Sequence, residues 1–174
     1  MPSQVSQRVS PEPIVGAASR RRPAAPSARA VAARDPASLH ISKLRGISIE
    51  ARGKLKRQGI TYTDQLLQRA GTAATRQRIA ASTGIAEPEL LRLARRADLA
   101  RIKGVGAIFA DMLELIGVHD VGALAARDPA DLHGRLHTLN AAERFARRAP
   151  TPEEVADWVH QARRAPRLLD PEAH

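Results

Sequence analysis

The sequence predicts an all-α fold, and three features carry that reading. Aromatic residues make up 2% of the 174 positions while Ala, Leu and Arg abound, a composition that suits helices and gives a sheet little to pack. Helix-start signatures recur: Asp35-Pro36, Asp128-Pro129 and Thr151-Pro152-Glu153-Glu154 each set a capping side chain ahead of a proline fitted to the first helical position. Between the helical stretches, glycines stand where helices have to stop and turn, at Gly46, Gly59, Gly84, Gly104 and Gly117.

At 18.8 kDa the chain has room for one domain or for two small helical units. Cysteine is absent, which excludes disulfides and thiolate metal sites and points to a reducing, cytoplasmic compartment. A net charge of +10 and a pI near 11.3 favour an anionic partner, nucleic acid ahead of a membrane surface. Residues 1–34 are rich in Pro, Ser, Ala and Arg without apolar periodicity and read as a disordered arm. No hydrophobic segment follows Ser19-Arg20-Arg21-Arg22, which argues against export, and no stretch is long and apolar enough to span a bilayer.

The ordered chain is expected to begin with a helix at Asp35-Pro36. It then turns at Leu44-Arg45-Gly46-Ile47-Ser48, runs helical to Gln58 and breaks at Gly59-Ile60. A second helix–turn–helix follows, with Thr83-Gly84-Ile85 in the turn and Pro88 in the first turn of the next helix. A third turn, Ile102-Lys103-Gly104-Val105-Gly106, leads into a helix from Ala107 whose apolar stripe is Ile108, Phe109, Met112, Leu113 and Ile116. A fourth, glycine-free turn is expected at Leu136–Glu143, where Asn140 caps the next helix and Glu143 closes the box. The last helix starts at Thr151 and carries Val155, Trp158 and Val159 inward, with Trp158 as a core plug.

The first and third turns form an internal repeat at an offset of 58 positions. Leu44 pairs with Ile102, Arg45 with Lys103, Gly46 with Gly104 and Ile47 with Val105; downstream, Leu55 pairs with Leu113, Gly59 with Gly117, Ile60 with Val118 and Leu66 with Leu124. The likeness of Ala33–His40 to Ala126–His133 is shorter and reads as one helix-start solution used twice.

An apolar residue held between two glycines, with a cation on the entry side, as at Lys103-Gly104-Val105-Gly106, resembles the helix-hairpin-helix motif. From about Leu39 to Arg167 the chain is similar to an uncharacterised bacterial family of unknown function built from such units. That resemblance rests on Ala97-Asp98-Leu99-Ala100-Arg101-Ile102-Lys103-Gly104-Val105-Gly106, on Leu113-Glu114-Leu115-Ile116-Gly117-Val118, and on Pro150-Thr151-Pro152-Glu153-Glu154-Val155-Ala156-Asp157-Trp158-Val159. It implies two tandem helix-hairpin-helix pairs in a SAM-like architecture, residues 35–97 and 98–167, with a C-terminal packing helix and a short tail, 168–174. Some relatives carry a nuclease-like label through a similar fold in flap endonucleases; that likeness concerns fold rather than activity.

Free amides and the positive end of a helix dipole both favour an anion. Gly104, Val105 and Gly106 are therefore expected to offer backbone N–H groups to a phosphate, with Lys103 and Arg101 adding charge. Gly46, Ile47 and Ser48, aided by Lys43, Arg45, Arg52 and Lys56, are expected to make a second, more electrostatic contact. Two departures weaken that second contact: Ser48 replaces the second glycine, and Glu50 stands in the first helical turn, where it repels a phosphate. Charge divides the other way, with 12 basic and 4 acidic residues in 39–97 against 10 basic and 12 acidic in 98–174. Two turns on neighbouring phosphates imply backbone binding without base reading and an affinity that falls steeply with salt.

The expected function is a non-enzymatic module that binds DNA, with RNA as the second candidate, without metal or cofactor. The alternative is a protein-interaction adaptor whose turns are purely structural and whose apolar face at Met112, Leu115 and Ile116 takes a partner protein or a second copy. A nuclease is the third reading, but Asp111, Glu114 and Asp120 are interleaved with core residues rather than arranged to converge on a metal pair. His133 and His137 share a helix face but lack a third ligand and read as surface residues.

Overall fold

The computed structural model describes residues 38–170, all within one compact body. Among the described residues the chain is all-helical, with no strand. After a single 3-10 turn at Ile41–Lys43 come α1 (Ile49–Arg57), α2 (Thr63–Ala70), α3 (Ala73–Thr83), α4 (Glu87–Ala100), α5 (Ala107–Leu115), α6 (Val121–Ala125), α7 (Pro129–Glu143) and α8 (Pro152–Arg164). The expected arm over 1–34 and the helix start at Asp35-Pro36 lie outside the described residues.

Asp128 and Thr151 start helices as expected, and Ser48 and Asp120, not foreseen as caps, start two more. Ser48 Oγ accepts from the Ala51 amide at 3.0 Å, Asp120 from Ala123 at 2.7 Å, and Asp128 from both Ala130 and Asp131 at 3.0 Å. Thr151 and Glu154 form a reciprocal capping box on α8, and Arg148 holds the Glu154 carboxyl down at about 2. No helix begins at Ser38-Leu39. Instead His40 bridges Tyr62 through backbone bonds from Ile41 N–H to Thr61 O and from Thr63 N–H to Leu39 O, both 2.9 Å; the Leu39 amide also donates to Thr63 Oγ1 and the Asp64 amide to Ser38 Oγ.

The apolar residues segregate into two cores. Leu44, Leu55, Ile60, Leu66, Leu90 and Leu93 lie in the first, and Leu99, Met112, Leu113, Leu124, Leu132 and Trp158 in the second, all at most 3% exposed. The long α4 serves both. Its Leu90, Leu93 and Ala97 close the first core, and Leu99 opens the second. In the second core α8 takes the closing role, packing on α6 and α7 as α4 packs on α2 and α3.

The repeat is visible in the backbone. Shifting by 58 positions lays α1 on α5 from end to end and brings the start of α2 onto that of α6. The shift also pairs hydrogen bonds: Ile60 N–H to Leu55 O at 2.9 Å with Val118 N–H to Leu113 O at 2.8 Å. Arg69 and its counterpart Arg127 both reach back to the carbonyls that end the preceding helix, Gln58 O and, one position further on in the repeat, Gly117 O at 2.8 Å.

Two expectations are corrected. Leu136–Glu143 is no turn but the second half of the 15-residue α7. Nothing between Leu136 and Glu143 breaks a helix, and the Asn140 amide reaches forward to both backbone groups of Ala146 instead of capping a following helix. Nor is 168–174 a free tail throughout. The Asp170 N–H donates to Gly71 O at 3.1 Å, its carboxylate accepts from the Ala73 amide, and Leu169 packs on the first core.

Candidate nucleic-acid interface

The second glycine turn is built so that its tip stays open. Ile102 and Val105 are buried, anchoring both sides of the turn, and between them Gly104 takes φ +93, a left-handed conformation that costs a side-chain-bearing residue energy. A β-carbon there would also stand 2.7 Å from Trp158 Nε1, so α8 packs on the glycine itself. Gln161, on the same helix, clamps Lys103 on both backbone groups: its Oε1 accepts from the Lys103 amide at 2.9 Å and its Nε2 donates to the Lys103 carbonyl at 3.1 Å. The turn is therefore held from behind.

In front, Gly106 is the N-cap of α5 and supplies no side-chain cap. The N–H groups of Gly104, Gly106, Ala107, Ile108 and Phe109 find no acceptor among the described residues. Gly104, Gly106 and the Lys103 side chain are exposed. Val105 corrects the sequence reading, because its amide is taken by Ile102 O at 3.0 Å. The Ala107 and Ile108 amides, missed from the sequence, take its place. The turn also rims a largely apolar hollow of about 680 Å³, lined by Leu39, Ala100, Ile102 and Val105 beside the glycines.

The first turn has the same backbone and a different surface. Gly46 is at φ +75 and packs beneath Arg96, whose guanidinium donates to Arg45 O. Ile47 is half-buried against the first core, and Ser48 Oγ takes the third amide of α1 for itself. Glu50 stands in the first turn of α1, paired with Lys54 at 2.7 Å, which holds its carboxyl below the ordinary range. Arg45 is half exposed and reaches Asp111 Oδ2 at 3.2 Å.

That last contact joins the two turns. Asp111 lies one helical turn into α5 and is met by Arg45 from the first turn and by Arg96 from α4, at 3.6 Å; Arg96 also bonds Glu114. Burial pushes the Asp111 carboxyl up, and the two guanidiniums oppose that shift. Asp98 is the other buried acid. It accepts from the Val121 amide at 2.9 Å and from Arg101 Nε at 2.7 Å, and burial raises its pKa against both. Arg101 also donates to Pro166 O and is 14% exposed, so its charge is committed inside the fold and adds nothing to a phosphate site.

Several other arginines carry out similar internal work. Arg76 is buried, pairs with Glu87 and caps the carbonyls of Ala70 and Gly71. Arg135 and Arg163 cap Ile116 O, Ala125 O and Arg127 O. Lys43, Arg52, Lys56 and Lys103 differ: each is exposed, and its side chain takes no hydrogen bond or ion pair among the described residues. Asp120 is an N-cap, and the His133 and His137 rings lie 6.1 Å apart on one helix. The expected apolar docking face is also corrected. Met112 lies wholly in the core and Ile116 packs partly against it, leaving Leu115 alone strongly exposed, at 60%.

Residues 45–165 match the family described as domain of unknown function (DUF4332). The chain belongs to this family. The match runs from the Arg45 turn to just past the end of α8, and so takes in both glycine turns and the helix that packs on the second. Comparisons with curated proteins and with solved structures returned no match. Among the described residues, no helix is long and apolar enough to cross a membrane.

Proposed function

We propose that this chain is a nucleic-acid-binding module that holds the phosphate backbone without reading sequence, and that its two glycine turns act as helix-hairpin-helix elements of unequal kind. The observation that carries this reading is the mouth of α5: five backbone N–H groups without an acceptor, on an uncapped helix start, beside an exposed lysine. Unsatisfied amides and the dipole end together favour a phosphate oxygen. Lys43, Arg52 and Lys56, in the half of the chain that carries the cationic excess, supply further phosphate contacts. DNA is the expected partner, and the module is a binder rather than an enzyme, since Asp111 and Asp120 already serve an ion cluster and a helix cap.

The test is fluorescence anisotropy of a labelled DNA duplex at stepped salt concentrations. Four cations on phosphates predict an affinity that falls with salt on a log–log slope of about −3 to −4. The double variant Lys103→Glu, Arg52→Glu is expected to abolish binding while the helical circular dichroism is unchanged. Absence of binding at low salt, or binding that survives the double variant, overturns the proposal.

A further inference from the structure

We infer that the indole N–H of Trp158 is a side-chain donor of the anion site at the second glycine turn, so that the site takes a phosphate-type oxyanion by backbone and indole together. This rests on the reading of that turn as a phosphate grip and names a group in it that no sequence pattern points to.

The ring is 2% exposed, yet its nitrogen donates to no acceptor among the described residues. A buried indole N–H ordinarily finds a partner, because leaving it without one forfeits its hydration. No buried side-chain nitrogen or oxygen among the described residues is both sealed from solvent and unpartnered. The Trp158 nitrogen is therefore reached from outside although the ring is not. Its direction follows from Gly104. Measured from where a β-carbon on that glycine would stand, Nε1 is nearest at 2.7 Å, ahead of Cδ1 at 3.5 Å and Cε2 at 3.7 Å. The nitrogen edge faces the turn.

The rest of the ring fixes the depth. Phe109, in the first turn of α5, packs on it with ring centroids 5.1 Å apart. One turn along α8, Gln161 holds both backbone groups of Lys103. The indole is thus wedged between the glycine turn and the start of α5, behind the same mouth where the Gly104, Gly106 and Ala107 amides stand open. Glycine at 104 lets the nitrogen edge come up against the turn; a β-carbon there would clash with Nε1. An oxyanion at the mouth would replace solvent on a donor that has no partner among the described residues, with a charge-assisted bond.

The chain has one tryptophan, so an ¹⁵N-labelled sample gives a single indole N–H resonance. We would titrate the full chain with inorganic phosphate and, separately, with a short DNA duplex, following that resonance. A saturable shift with each probe is expected, together with duplex binding about tenfold weaker in Trp158→Phe, which keeps an aromatic ring and loses the donor. Duplex binding with an unmoved indole, and equal affinity in Trp158→Phe, overturns the Trp158 assignment and leaves the backbone grip standing. A shift with phosphate while the duplex fails to bind supports the assignment and overturns the nucleic-acid reading. No shift and no binding with either probe overturns both. If Trp158→Phe loses its helical signal, the resonance of the unaltered chain decides alone.

Discussion

The two glycine turns share a backbone and divide the work. At Gly46 and Gly104 the chain takes the same left-handed step, and α1 and α5 start at equivalent positions after it. In the first turn three side chains are already engaged, since Ser48 caps its own helix, Arg45 pairs with Asp111 and Glu50 pairs with Lys54 at the helix start, while the Gly46, Ile47, Ser48, Ile49 and Glu50 amides find no acceptor among the described residues. In the second, glycine replaces the cap, Lys103 makes no ion pair among the described residues, and an indole rather than a guanidinium lies behind the turn. One copy of a duplicated unit has become a joint between the halves and a carrier of charge, while the other presents its amides at a helix start with no side-chain cap. Phosphate-binding geometry and positive charge therefore need not reside on the same copy.

The largest expected effect separates the two glycines. Gly104→Ala combines a φ of +93 with a β-carbon 2.7 Å from a buried, rigid ring. It should cost about 3 kcal/mol of stability in urea melts, enough to approach unfolding of a small helical domain. Gly46→Ala meets only the end of an arginine, Arg96 Nη1 at 2.9 Å, and should cost about 1–2 kcal/mol, chiefly for its φ of +75. Equal costs would mean that the closing helices support the two turns alike. A smaller effect sharpens the comparison from the other side. Gly106 has φ −74 and open space around its β-position, so Gly106→Ser introduces the cap that Ser48 provides in the first copy. Stability should rise by about 0.5–1 kcal/mol while duplex binding weakens several-fold, because the new hydroxyl takes an amide of α5. Unchanged affinity in this variant would show that those amides do not touch the nucleic acid.

Local chemistry made much of this legible from the sequence. The helical class, the glycine turns and the offset of 58 positions follow from residues that act on their immediate neighbours, and the helix boundaries carry the same offset. Tertiary partners were hidden. Asn140 looks like a helix cap, but with no breaker beside it α7 runs through, and its amide serves Ala146. Val105 sits between two apparent ligand-facing glycines, yet its amide closes the turn on Ile102. The charge count could not separate arginines committed to the protein's own carbonyls, such as buried Arg76 and exposed Arg163, from unpaired cations that face solvent, such as Arg52. Asp111 reads only as one of several acids interleaved with core residues, because its partner Arg45 comes from a segment distant in the chain. Trp158 was legible as a core residue, but the direction of its nitrogen was not.

The inequality of the two turns is tested most directly by the salt dependence of duplex binding in Lys103→Ala beside Arg45→Ala. Lys103→Ala should weaken binding and reduce the log–log salt slope by about one, the loss of one phosphate contact. Arg45→Ala should leave the slope as it is, since that guanidinium already belongs to Asp111. An equal loss of slope in both variants, or a larger one at Arg45, would contradict the account.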